Sequence, residues 1–147
     1  MSQESGQHPF AKLIISLQAK EAEAFAAEAA DDPETAIARL KEAVAIEDSI
    51  DDLSQPPYPV IPANELCGNL LLELNRPAEA ATYFQKAWSR TPNRPKLIFG
   101  LARAAEIQGD GETAKKRYEE FLALWKTADS DRPELAKARE FLRGDHQ

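Results

Sequence analysis

Histidine and cysteine, which often act in catalysis or bind metals, are sparse and scattered in this sequence. The histidines, His8 and His146, lie near the two ends of the chain, and neither has a partner at the spacing of a zinc or copper site. The single cysteine, Cys67, has no histidine near it in sequence to activate a thiolate. Neither a glycine-rich phosphate loop nor a nucleophile elbow occurs. The sequence therefore predicts a protein that is not an enzyme and that has no metal and no cofactor.

The net charge of −7 is unevenly distributed. Residues 1–52 carry 12 acids and 4 bases, whereas residues 53–147 carry 13 acids and 14 bases. Between residues 76 and 103, six bases stand against the single acid Glu79. Such charges commonly lie on solvated helix faces, and an anion-attracting patch is the alternative. Because the chain as a whole is acidic and would repel phosphate, nucleic acid is disfavoured as a partner.

Several features bear on the cellular compartment. One cysteine cannot form an intramolecular disulfide, which fits a reducing environment. The first residues lack the cationic start and the long apolar stretch of a secretory signal. No segment approaches the ~18 consecutive apolar residues that a membrane-spanning helix needs. We therefore expect a cytoplasmic protein with no membrane segment.

The composition predicts an all-α protein. Alanine, leucine, glutamate, lysine and arginine dominate, whereas valine, isoleucine and threonine never gather into alternating runs bounded by turns. Prolines that suit a first helical turn stand at or near the start of five apolar-periodic segments, at Pro33, Pro62, Pro77, Pro95 and Pro133. We predict helices over residues 10–30, 33–50, 62–75, 77–91, 95–108, 111–127 and 132–143.

The predicted helices pair into three hairpins. Short links force neighbouring helices to pack antiparallel, which gives hairpins over about 10–50, 62–91 and 95–127. A Pro-rich insertion at about 52–61 separates the first two hairpins, and the helix at about 132–143 is left to cap the third. We expect residues 1–147 to form one domain.

Capping residues mark the ends of these helices. Asp32, Asp110 and Asp131 are predicted N-caps, and Glu134 completes a capping box with Asp131. Asn75 and Gly109 tolerate the left-handed backbone conformation that closes many helices.

Three similar phrases open the second helix of the three hairpins: DPETA at 32–36, RPAEA at 76–80 and DGETA at 110–114. The offset between the last two phrases, from residue 76 to residue 110, also pairs Gly68 with Ala102 and Phe84 with Tyr118. We call this offset the repeat step. The pattern resembles the tetratricopeptide repeat, a unit of about 34 residues whose two helices cross closely at small residues.

The resemblance is strongest in the middle hairpin, where Gly68, Ala80, Phe84, Ala87 and Pro92 stand at signature positions of the family. The first and third hairpins depart further from the pattern. The offset from Ala36 to Ala80 is ten positions longer than the repeat step. Extra residues therefore lie between the first and second hairpins.

The resemblance implies a right-handed α-solenoid of three antiparallel hairpins with a C-terminal capping helix. It also implies a concave groove that is lined by the first helix of each hairpin and that binds a peptide. Resemblance to peptide-binding members places in this groove Glu65, Asn69, Leu72 and Glu73 from the second hairpin, and Lys96, Phe99, Arg103 and Glu106 from the third. In this interpretation Asn69 and Arg103 hold a backbone amide and a carboxylate, and Phe99 is an apolar anchor.

One type of member grips the C-terminal carboxylate of a chaperone with lysines, asparagines and an arginine. At the corresponding places this sequence has Glu21, Phe25, Leu66, Lys96 and Gly100, of which only Lys96 matches. Because acids and hydrophobic residues cannot donate hydrogen bonds to a carboxylate, we predict that this chain has no chaperone carboxylate clamp.

The inserted segment QPPYPVIP is extended and polyproline-like, since proline restricts both itself and the residue before it. It either bridges two hairpins or folds over the groove, in which case Tyr58 and Val60 form a lip that shapes ligand entry.

The predicted function is non-catalytic binding of a peptide or a protein segment in the groove. One alternative is a small anionic ligand or metabolite, with Lys96 and Arg103 as its charged contacts. Another is a purely structural module that self-associates or supports a longer chain.

Overall fold

The computed structural model describes residues 9–50, 61–92, 94–125 and 132–144. These ranges contain seven α-helices and no strand: α1 Pro9–Ala29, α2 Pro33–Asp48, α3 Ala63–Glu73, α4 Pro77–Arg90, α5 Pro95–Ile107, α6 Gly111–Leu124 and α7 Pro133–Leu142. The all-α prediction is confirmed, and each predicted start lies within one residue of the observed one.

The chain forms two compact units, residues 1–67 and 68–147, whose boundary lies within α3. In the first unit α1 packs along α2. In the second unit α4 packs on α5, α5 on α6, and α6 on α7. The single domain expected over 1–147 stays a prediction.

Two of the predicted N-caps are confirmed. Asp32 accepts a hydrogen bond from the backbone N–H of Thr35 at 3.1 Å, and Asp110 accepts one from Thr113 at 3.1 Å. In each case the carboxylate satisfies one of the amides that a helix start leaves without an intrahelical partner. Asp131, and with it the predicted capping box, lies outside the described residues.

The three hairpin loops close in the same way. Asp31, Asn75 and Gly109 all have positive φ, of 58°, 58° and 80°. The amide of the following residue then bonds to a carbonyl five residues back: Asp32 to Ala27 at 2.9 Å, Arg76 to Leu71 at 2.8 Å, and Asp110 to Ala105 at 2.9 Å. This is the Schellman closure. The left-handed residues Asn75 and Gly109 are confirmed, and Asp31 occupies the same place in the first hairpin.

Close helix approach in the second unit depends on two glycines. The ring of Phe84, on α4, is fully buried between Gly68 of α3 and Gly100 of α5. A Cβ atom at either glycine would lie 2.8 Å or 2.7 Å from the ring, which is closer than real side chains pack. The family signature identified Gly68, whereas Gly100 emerges only from the packing.

α7 completes the apolar core of the second unit. Its Leu135, Ala138 and Phe141 are buried in one cluster with residues of α5 and α6, including Tyr118 and Phe121. The Phe141 ring lies 4.8 Å from that of Tyr118, centroid to centroid. The predicted capping helix therefore covers the last hairpin as expected.

In the first unit a buried carboxylate holds the start of α3. Glu47, near the end of α2, is only 1% exposed. It accepts hydrogen bonds from the backbone N–H groups of Ala63 and Asn64, at 2.6 Å and 3.2 Å, and from the Asn64 side chain at 2.8 Å. Free amides and the helix dipole make a helix N-terminus favourable for a negative charge. Glu47 thus caps a helix that begins 16 residues later.

A second acid of this unit, Glu21 on α1, lacks such compensation. Its Oε1 atom is buried and has no hydrogen-bond partner among the described residues. Burial, and then the negative charge of Glu47, raises the pKa of Glu21 to about 7. The hairpin α1–α2 therefore contains a carboxyl group that titrates near neutral pH.

We expect Gly100→Ala to destabilise the protein. Alanine favours a helix by about 1 kcal/mol over glycine, but the clash with Phe84 should cost about 1–3 kcal/mol. Urea unfolding measures the net loss. Gly111→Ala is the matched control, because nothing lies within 4 Å of a Cβ atom there. Phe84→Leu should lower the free energy of unfolding less in the Gly100→Ala variant than in wild type, because it also relieves the clash. An equal loss in both backgrounds would contradict the proposed clash.

We expect Glu21→Gln to make the protein more stable at pH 8 but not at pH 4. The folded-state pKa of Glu21 lies above its ordinary value of 4.5, so the folded chain binds more protons between about pH 4.5 and 7. The contribution of Glu21 to the stability of the wild-type protein is therefore lost as the pH rises through that window. A glutamine at this position does not titrate and stays neutral at both pH values. Urea unfolding at both pH values, with the exposed Glu119→Gln as control, tests this. A Glu21→Gln effect that is the same at both pH values would refute it.

Candidate functional site

The predicted groove residues differ in how accessible they are. Asn69, Glu73 and Lys96 are exposed, and Leu72, Phe99, Arg103 and Glu106 are partly buried. All seven lie in the second unit, on α3 and α5. Glu65 differs, because it belongs to the first unit and is only 2% exposed, so its side chain is not presented to a ligand. The suggested lip residues, Tyr58 and Val60, lie outside the described residues.

Glu106 is the centre of a polar cluster that joins three helices. Its Oε2 atom accepts hydrogen bonds from Arg103 Nη1 at 2.8 Å and from the Tyr118 hydroxyl at 2.5 Å. Its Oε1 atom pairs with Lys137 Nζ at 3.2 Å. Since these partners come from α5, α6 and α7, one carboxylate determines how their polar groups are arranged.

The cluster keeps its charges at neutral pH. Partial burial by itself would raise the pKa of Glu106, but the hydrogen bonds from Tyr118, Arg103 and Lys137 together hold it below the usual value. Burial, together with the nearby carboxylate, raises the pKa of Tyr118. The phenol therefore remains a donor, and Glu106 remains an acceptor for two cations.

Phe99 has a structural role besides any contact with a ligand. Its ring lies 5.3 Å from that of Phe121 and 6.0 Å from that of Tyr118, the second pair being edge-on. Such pairs stabilise beyond the area they bury. Phe99 therefore anchors α5 on α6, and only part of its ring is accessible.

Lys137 is a charged residue of this surface that sequence reasoning missed. It lies one repeat step after Arg103, which itself lies one repeat step after Asn69. Applying the step once more, into α7, would have found it. The helix predicted only as a cap therefore continues the register of α3 and α5, and its lysine reaches the carboxylate of Glu106.

The largest cavity among those described in the second unit lies away from these residues. It has a volume of about 660 Å³ and lies between α4, α5 and α6, with Lys86 and Arg117 among its lining residues. None of the predicted groove residues lines it. Lys96 and Arg103 therefore do not line this cavity.

Other chemistry has little support within the described ranges. Cys67 is fully buried, so its thiol is part of the core. No group of three or more histidine, cysteine or acidic residues is placed to hold a metal ion in the described part of the chain. Among the described helices, none is both long enough and apolar enough to cross a membrane.

Comparison with known proteins agrees with this architecture. A family model described as tetratricopeptide repeat matches residues 71–140. The crystal structure of a TPR-like protein from Chlorobium tepidum matches with a TM-score of 0.64, over 90% of this chain and 95% of that chain, at 14% sequence identity. At that identity the likeness concerns the fold alone. No curated protein matches the chain.

The helix pairs, their common loop closure and the structural match define an all-α helical-repeat protein. Residues 71–140, which extend from the last turns of α3 into α7, match the model of the tetratricopeptide repeat family, and this part of the chain is similar to that family. The resemblance inferred from the repeated phrases is thereby confirmed.

We expect Glu106→Gln to destabilise the protein by about 1–3 kcal/mol, because it weakens the charged hydrogen bonds of three partners. The matched control is Glu120→Gln. Glu120 pairs with Arg117 at 3.0 Å, also three residues apart, and such a pair near the surface contributes less than about 1 kcal/mol. Urea unfolding of both variants measures the difference. An equal loss of unfolding free energy in the two variants would show that the cluster around Glu106 stabilises the protein no more than an ordinary surface ion pair does.

Proposed function

We propose that the chain is a non-catalytic interaction module that holds an extended segment of a partner protein. The segment would lie along α3, α5 and α7, each of which begins a repeat. The observation that carries this proposal is the recurrence of Asn69, Arg103 and Lys137, each one repeat step after the last. The tetratricopeptide repeat match supports a protein partner in general terms.

These three side chains suit a peptide that carries an acid. The exposed amide of Asn69 can both donate to and accept from a peptide backbone. Arg103 contacts Glu106 through one terminal nitrogen and also interacts with Tyr118, and a guanidinium, with five N–H groups, has others for a ligand carboxylate. Leu72 and the accessible part of Phe99 add apolar contact between the polar residues. We therefore infer a segment in which acidic and apolar residues are combined.

The cluster around Glu106 prepares this surface for binding. Arg103 and Lys137 share one carboxylate, which holds two long side chains that would otherwise lose rotamer freedom when a ligand binds. A surface that is ordered beforehand loses less entropy on association. An extended ligand is favoured over a small anion, because the cavity of about 660 Å³ has none of the groove residues in its lining.

Site-specific photocrosslinking tests the proposed face. A benzophenone amino acid is placed at Asn69, at Lys137, or at the control position Gln85, which lines the cavity between α4 and α6. Extract of the source cell is then irradiated with each variant. We expect positions 69 and 137 to crosslink the same segment of one protein and position 85 not to. Crosslinks from position 85 alone, or to no common protein, would refute the proposed face.

The affinity of the crosslinked segment then tests the chemistry. We expect Arg103→Ala to weaken binding of the corresponding synthetic peptide by about 10-fold or more, the range expected for a charged hydrogen bond. Lys86→Ala, on the cavity between α4 and α6, should change the affinity little and is the control. Isothermal titration calorimetry measures both, and an unchanged affinity for Arg103→Ala would remove Arg103 from the site.

A further inference from the structure

Phe84 shows that the first helix of a hairpin has two different packing sides. Its ring contacts Gly68, on the first helix of its own hairpin, and Gly100, on the first helix of the next. α3 thus packs against α4, the helix that follows it, and α5 packs against α4, the helix that precedes it. The first helix of a hairpin therefore has one side for the helix that follows it and another side for the helix that precedes it. In repeat proteins these nearest-neighbour contacts bury the apolar surface of each hairpin.

α7 carries the first kind of side, and no helix of the described residues follows α7 to cover it. Ala136 lies two repeat steps after Gly68, and it is exposed. A cavity of about 560 Å³ lies at this place, lined by Leu122, Ala136, Arg139, Leu142 and Arg143. We call these five residues the tail face. A second cavity of about 300 Å³ shares Leu122 and Arg139 with it.

α1 carries the second kind of side. The offset that relates Ala36 to Ala80 takes Ala22 to Leu66, and one repeat step then takes Leu66 to Gly100, the residue covered by Phe84. Ala22 and Ala26 are exposed, and Ile15, two turns before Ala22, is 58% exposed. We call Ile15, Ala22 and Ala26 the head face. It consists of small and apolar side chains, which let another helix approach closely.

The charges of the two units favour contact between a head face and a tail face of different copies. Residues 1–67 carry 13 acids and 4 bases, a net charge of −9, whereas residues 68–147 carry 12 acids and 14 bases, a net charge of +2. Arg139 and Arg143 belong to the tail face itself. Two tail faces would repel each other through their arginines, and two first units would repel each other through their net negative charge, so unlike faces are the complementary pair.

We propose that the chain self-associates head to tail, with the head face of one copy docked on the tail face of a second copy. Such a contact joins unlike surfaces, so every copy keeps one unused face and can add a further copy, unless the assembly closes into a ring. Because attraction between the oppositely charged units contributes, association should weaken as salt is added. This contact uses other residues than those proposed to bind a partner segment.

Sedimentation velocity of the full chain tests the proposal, at concentrations up to about 1 mM, the weak end of the affinity scale. Ile15→Glu blocks the head face and Leu142→Glu blocks the tail face. Arg139→Glu is a second tail variant at an exposed position, in case Leu142→Glu impairs folding, which circular dichroism reports. Phe25→Glu is the matched control, since Phe25 is 50% exposed on α1 but is not part of the head face.

The mixing experiment separates head-to-tail association from any other kind. We expect wild type and Phe25→Glu to form species larger than a monomer, while each blocked variant alone stays monomeric. An equimolar mixture of Ile15→Glu with a tail variant should form a dimer and stop there, because only one compatible pair of faces remains. A monomeric wild type, blocked variants that associate like wild type, or a mixture that stays monomeric would each overturn the proposal.

Discussion

Close approach of helices around Phe84 is the constraint on which the second unit depends. A large ring fits between α3 and α5 only because neither Gly68 nor Gly100 carries a side chain. The helices α3 and α5 can then lie on either side of α4. Close packing of this kind tolerates little change in volume. A single aromatic residue thus sets the spacing between Asn69 on one helix and Arg103 on the other.

Polar groups add a second level of organisation, in which one carboxylate gathers donors from elements distant in sequence. Glu47 does this in the first unit, where it accepts three hydrogen bonds at the start of α3. Glu106 does it in the second, with partners on α5, α6 and α7. The two sites differ in solvation. Glu47 is buried with its donors around it, whereas Glu106 and its partners Arg103 and Lys137 are partly exposed.

The contrast between Glu47 and Glu21 illustrates how environment decides the behaviour of an acid. Glu47 has N–H donors to balance its charge, whereas one oxygen of Glu21 is buried without a partner among the described residues. The pKa of Glu21 rises accordingly. Protonation of Glu21 therefore removes a buried charge, and with it a repulsion from Glu47, which links the stability of this acidic part of the chain to pH.

The sequence by itself determined the local structure: helix starts at prolines and aspartates, loop closures at Asn75 and Gly109, and the repeat that relates Phe84 to Tyr118. These features depend on backbone preferences and on apolar periodicity, both of which act over a few residues. Only the tertiary structure decided that Glu65 is buried, that Glu47 caps α3, and that Lys137 meets Glu106. Such contacts join residues far apart in sequence, and each depends on how packed helices place their side chains, which no local pattern specifies.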